Sequence, residues 1–191
     1  MKDQKPKKQR GRRAYLDQFE RTASGEYIYT GRHYVYDDPG RSRRSTLISL
    51  WIPSVLLAAC VIAQGCLPAE GMMNCFYVLL PFLGEVFAAG CLIKDLIGLS
   101  AAAEPLREYI YKENVLPLPR LAAAALIFAA MTLIGEGLYL LTHGVHTPTA
   151  TVILLPFIAA SGLLALLIRR RTEHLPWKLQ EDQAEQPVSQ T

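Results

Sequence analysis

The sequence predicts an all-α integral membrane protein: four transmembrane helices arranged as two helical hairpins, with a small cytoplasmic N-terminal β-hairpin and a short interfacial helix in the central loop. Three observations lead there. The chain of 191 residues is 51% hydrophobic and 19% charged, averages that suit a soluble domain, yet no Lys or Arg occurs within residues 45–93 or 121–168. Those two blocks hold most of the apolar content, which excludes a secreted disulfide scaffold, a disordered regulator and a simple nucleic-acid-binding domain. Inside them lie four apolar runs of about 20 residues, the length a helix needs to cross a hydrocarbon core of about 30 Å. The third observation is that all 20 basic residues lie outside the two blocks.

The runs come as two pairs. Residues 47–67 and 76–93 are joined by the short stretch Pro68-Ala69-Glu70-Gly71-Met72-Met73-Asn74, and residues 121–141 and 150–168 by a stretch of similar length around Gly144. A backbone in lipid must satisfy its hydrogen bonds within its own segment, so paired helices are the economical reading of both. The domain organisation follows: a basic arm and Tyr-rich hairpin (1–44), a first transmembrane hairpin (45–93), a loop with an amphipathic helix (94–120), a second transmembrane hairpin (121–168) and a disordered tail (169–191). Twelve of the 20 cations precede Thr46, four lie from Lys94 to Arg120, and four follow Ile168. By the positive-inside rule these three regions share the cytoplasmic side of the cell membrane, with both termini inside. The long polar stretch before the first span predicts an internal anchor rather than a cleaved leader.

Outside the spans, Lys2 to Arg13 is too charged to fold alone and suits attraction to anionic lipid better than to nucleic acid. Residues 14–21 could form two helical turns through Tyr15, Leu16 and Phe19. Residues 26–38 read EYIYTGRHYVYDD. The alternation of Tyr27, Tyr29, Tyr34 and Tyr36 around Thr30-Gly31-Arg32 predicts two strands paired across a tight turn, with the four tyrosines as candidate docking residues for another protein. Residues 100–113 suit a helix capped by Ser100, with Pro105 in its first turns and Leu106, Tyr109 and Ile110 on one face. The acidic, polar end from Glu181 is expected to carry no fixed structure.

Two echoes suggest an internal repeat. Leu-Leu-Pro-Phe occurs at Leu79 to Phe82 and at Leu154 to Phe157, and Ile62-Ala63-Gln64-Gly65 resembles Ile134-Gly135-Glu136-Gly137. Duplication and convergence both fit these short matches.

Glu85, near the middle of the second span, and Glu136, about two turns from the end of the third, are the sharpest chemical signals. A carboxyl in hydrocarbon is costly, and neither segment holds a cation to pair with it, so each must face the bundle or a wet cavity. Gln64, Thr132 and Tyr139 are the polar neighbours able to reach them. Each acid can be read as a proton or cation site or as an interhelical hydrogen-bond donor. Small residues recur four apart at Ala59 and Ala63, Gly84 and Ala88, Ala125 and Ala129, and Ser161 and Ala165, as close helix packing requires. Cys66 and Cys75 bracket the first outer loop, within reach of a disulfide, although apolar packing is the commoner fate of such cysteines. Met72 and Met73 read as lipid contacts, and His143 and His146 lack further ligands, so no metal site or cofactor is expected. The familiar nucleotide, zinc and serine-hydrolase motifs are absent, so no enzyme is expected. The preferred reading is therefore a non-enzymatic membrane subunit that docks another protein, or a second copy of itself, through its cytoplasmic face. The alternative is an oligomeric small transporter or channel that uses Glu85, and Glu136, as a proton or cation site.

Overall fold

A computed structural model describes residues 19–21, 27–29, 31–144 and 148–180. The basic arm, most of residues 14–21 and the acidic end lie outside the described residues. Among the described residues four helices are long and apolar enough to cross a membrane: α1 (Arg43–Cys66), α3 (Phe76–Ala101), α5 (Leu118–His143) and α6 (Pro148–Glu173). A short helix, α2 (Glu70–Asn74), sits between α1 and α3. The long helices pack in a ring, α1 against α3, α3 against α5, α5 against α6 and α6 against α1.

Each helix buries one stripe at alternating three- and four-residue steps. On α6 it is Thr151, Leu154, Ile158, Ser161, Ala165, Ile168 and Thr172, and on α5 it is Leu118, Ala122, Ala125, Ala129, Thr132, Glu136 and Tyr139. This is the spacing that lets helices pack at shallow angles over their whole length. The buried stripes hold small and polar residues, whereas Ile52, Ile62, Phe76, Phe87, Val152 and Leu163 face outward. Two of the four small-residue pairs, Ala125 with Ala129 and Ser161 with Ala165, lie wholly on these stripes. Gly84 beside Ala88 is half-buried, and Ala59 is exposed.

Several local expectations are corrected. Tyr27–Tyr29 (β2) and His33–Tyr36 (β3) are strands, but not partners of one another. Strand β2 pairs antiparallel with β1 (Phe19–Arg21), so those three residues are strand and not helix. The partners of β3 come from far along the chain: β4 (Leu106–Arg107) on one side and β5 (Trp177–Leu179) on the other, in the order β4-β3-β5. A three-stranded sheet therefore gathers the chain's beginning, middle and end at one end of the bundle. A three-stranded sheet shields more backbone than a lone hairpin, which is marginal in water. The tail is correspondingly ordered through Leu179, first as helix and then as strand. Ser100 is no cap, because α3 runs through it to Ala101. The loop helix begins later, as α4 (Glu108–Ile110), and continues through a π turn (Tyr111–Val115) toward α5.

Candidate functional site

The buried polar residues of the bundle define the candidate site. Gln64 on α1, Glu85 on α3 and Ser161 on α6 each fall on a buried stripe, so the ring brings three distant segments together. Gln64 and Glu85 are both 0% exposed. The Gln64 amide donates to the Phe157 carbonyl (3.3 Å) and to the Ser161 hydroxyl (3.2 Å), which in turn donates to the Ile158 carbonyl (2.9 Å). Ser161 stands beside the Glu85 carboxyl, but its one hydrogen is already used in that bond. Among the described residues neither oxygen of Glu85 accepts or makes a hydrogen bond within geometric limits, nor does Oε1 of Gln64. Buried polar atoms are nearly always hydrogen-bonded, so three orphans in one cluster mark a place where stability has been given up.

Glu136 is 1% exposed and faces a different neighbour. A Cβ placed on Gly71 of α2 would stand 2.3 Å from its Oε2, 2.9 Å from its Cδ and 3.0 Å from its Oε1. Only glycine lets α2 seat so close to the carboxyl, and Oε2 is again unpartnered. Thr132 lies one turn away on the same stripe, yet its hydroxyl donates to its own helix at the Phe128 carbonyl (2.9 Å). Tyr139 is buried on that stripe with its ring stacked on His143 at 4.7 Å between centroids. Glu136, Thr132 and Tyr139 thus share a face, while Glu85 shares its surroundings with Gln64.

The second polar region is the end of the bundle that carries the sheet. Arg43, the first residue of α1, donates to the Leu99 (2.8 Å) and Ala102 (2.6 Å) carbonyls at the end of α3. Its guanidinium also lies 5.8 Å from the centre of the Trp177 ring of β5, with Glu104 Oε1 3.6 Å from Nε. Trp51 adds a bond from its indole nitrogen to the Ser100 hydroxyl (2.9 Å). Three of the four candidate docking tyrosines are engaged within the chain. Tyr34 stacks on Tyr111 at 4.1 Å. The hydroxyl of Tyr36 meets that of Thr46 at 2.6 Å and its ring abuts Trp177. Tyr29 accepts from the Glu108 amide at 3.0 Å, and burial raises its phenol above the ordinary value. Tyr27 alone of the four is strongly exposed, at 70%.

Cys66 and Cys75 are free thiols, as are Cys60 and Cys91, so the loop carries no bridge. Met72 is buried in the core rather than turned to lipid. Sequence reasoning missed Asp95, buried one residue beyond Lys94 and bonded to it at 3.1 Å. An acid just past the apolar run read as the helix's exit from the membrane, and nothing local marked it as interior. Comparison with family models, with curated proteins and with solved structures finds no match.

Proposed function

We propose that this chain is a non-enzymatic four-span membrane protein, its long helices arranged as two transmembrane hairpins, in which Glu85 is the proton- or cation-binding group of a small oligomeric carrier or channel. One observation carries the reading: a carboxyl fully enclosed in the bundle, beside Gln64 and Ser161, with no hydrogen bond within geometric limits to either oxygen among the described residues. A structural acid would be expected to spend its hydrogen-bonding capacity on a neighbouring helix, whereas a site that must take up and release a cation keeps it in reserve. Gln64 and Ser161 supply dipoles beside it. The outward-facing Leu, Ile and Phe side chains fit lipid, and the cations at the sheet-bearing end fit a cytoplasmic placement of that end.

The test is proton or cation flux into vesicles containing the purified full chain. Flux above that of empty vesicles should vanish in Glu85→Gln while melting behaviour is kept. Equal flux with and without the protein, or in both variants, would defeat the carrier reading.

A docking subunit is the second reading, favoured by the sheet's geometry. Strands β4 and β5 each pair on one edge only among the described residues, and an open strand edge invites strand addition. Removing residues 1–38 should then strip a defined partner from the protein taken out of its native membrane, with flux playing no part.

A further inference from the structure

The junction of α1, α6 and the sheet encloses a cavity of about 180 Å³. Arg41, Arg170, Arg171 and His174 line it from one side of the chain or the other, with the hydroxyl-bearing Tyr36 and Thr46 between them. We propose that this cavity binds a phosphate group, either the headgroup of an anionic lipid or a free phosphate anion.

Clustering singles the place out. Near this end Arg169 is neutralised by Glu173 at 2.8 Å, Lys178 by Asp37 at 2.7 Å and Lys112 by Glu108 at 2.5 Å, whereas Arg44 and Arg120 have no ion pair among the described residues but do not line the cavity. The three arginines of the cavity have no such partner among the described residues. Arg171 bonds only a backbone carbonyl, that of Ser49. The one carboxylate in the wall, Asp38, accepts from the Gly40 amide at 2.8 Å through Oδ1 and from the Tyr36 hydroxyl at 3.5 Å through Oδ2. Three guanidinium groups against one carboxylate leave a net positive cavity. The first turn of α1 contributes Thr46 to the wall, so the positive end of that helix dipole adds to the attraction. Planar, forked guanidinium groups match phosphate oxygens better than single ammonium charges would.

The position also matters. Ser49, Leu50, Leu175 and Pro176 make the rest of the lining, so a polar mouth adjoins a mostly apolar wall at the level where α1 begins and α6 ends. That combination suits a group that is charged at one end and oily at the other. Attraction of any cation to any anionic surface is the simpler account of arginines at a span's end, and the experiment is built to separate the two.

Native mass spectrometry of the purified full chain would follow binding of phosphatidylglycerol, phosphatidylcholine and inorganic phosphate. The wild type should retain phosphatidylglycerol in preference to phosphatidylcholine. Losing two cavity cations in Arg41→Gln/Arg170→Gln should weaken that retention about thirtyfold, on the scale of about 1 kcal/mol per cation. Neither side chain makes a hydrogen bond or ion pair among the described residues, so melting should be unchanged. Arg44→Gln/Arg120→Gln removes two exposed cations that do not line the cavity and should leave retention as it was. Retention of inorganic phosphate alone, lost in the cavity variant, would identify the free anion as the occupant and keep the site. Equal loss in both double variants, or no preference for any phosphate-bearing anion over phosphatidylcholine, would overturn the proposal.

Discussion

Gly84 is where the bundle's packing is most sharply tested. It lies on α3 under the Phe128 ring of α5, and a Cβ there would stand 2.7 Å from Cε1 and 2.8 Å from both Cδ1 and Cζ. Carbon atoms rest at about 3.5–4.0 Å, so Gly84→Ala must open the contact by about 1 Å. The ring can swing away from its preferred rotamer at about 0.5–1.5 kcal/mol, or the helices can separate and lose packing along their length. Overpacking of a close contact costs about 1–3 kcal/mol, and the half-buried ring has room on its outer side, so about 2 kcal/mol is expected. Reversible unfolding of the purified full chain in mixed micelles, followed by the fluorescence of Trp51 and Trp177, measures it. Gly90 on the same helix is the control, since a Cβ there meets nothing within 4 Å. Gly90→Ala should stabilise by up to about 1 kcal/mol through helix propensity alone. Phe128→Leu should relieve Gly84→Ala, leaving it a cost below about 0.5 kcal/mol in that background. Equal costs with and without the ring would refute the reasoning, because residues in contact must couple.

Arg43→Ala strips the carbonyls of Leu99 and Ala102 of their charged donor and should cost about 2–4 kcal/mol in the same unfolding measurement. Arg43→Lys should recover only part, since a point charge cannot fork to both. Burial holds the Tyr29 phenol neutral, with its folded pKa above the unfolded value. Its contribution is therefore complete below about pH 10 and lost as pH rises through the folded value. Difference absorbance between wild type and Tyr29→Phe should show a phenol ionising later than free tyrosine. Cys66 is exposed at the end of α1 remote from Arg43. In single-cysteine variants an impermeant maleimide should reach Cys66 from the outer face of sealed vesicles and Lys178→Cys from the inner face only. Labelling of both from one face would overturn the proposed topology.

The four long apolar helices were legible because length and missing charge are enough to find them. Their ends were not. α3 continues eight residues past Ile93 because a helix needs only its own backbone bonds to go on, and the buried Asp95 is accommodated by its bond to Lys94 at 3.1 Å. The tyrosine pattern correctly marked strands at Tyr27–Tyr29 and His33–Tyr36, but the alternation of side chains says nothing about which strand pairs with which. The partners of β3 stand about 70 residues away at Leu106 and about 140 away at Trp177, a separation only tertiary structure resolves. The buried stripes were equally hidden. In a soluble helix apolarity marks the inner face, whereas here Leu and Ile lie on both faces and the interior is betrayed by Ser54, Gln64, Thr132 and Ser161. Glu85 and Gln64 were found because polarity in an apolar run is conspicuous; Gly71 was not, because its role exists only once Glu136 is folded against it.

The repeated motif gives these residues a relation that neither has alone. Gln64 and Glu136 occupy the same place in Ile-Ala-Gln-Gly and Ile-Gly-Glu-Gly, and both are fully buried. Their surroundings differ: the Gln64 amide spans to α6 through two hydrogen bonds, while Glu136 presents an unpartnered oxygen to Gly71. If Glu136 serves packing alone, the isosteric Glu136→Gln should leave flux intact and change stability by no more than about 1 kcal/mol, the usual worth of one hydrogen bond. The same change at Glu85 should stop flux, so the pair of variants separates an acid kept for chemistry from one merely tolerated by the fold. Loss of flux in Glu136→Gln with Glu85→Gln unaffected would reverse the assignment and place the working acid beside α2.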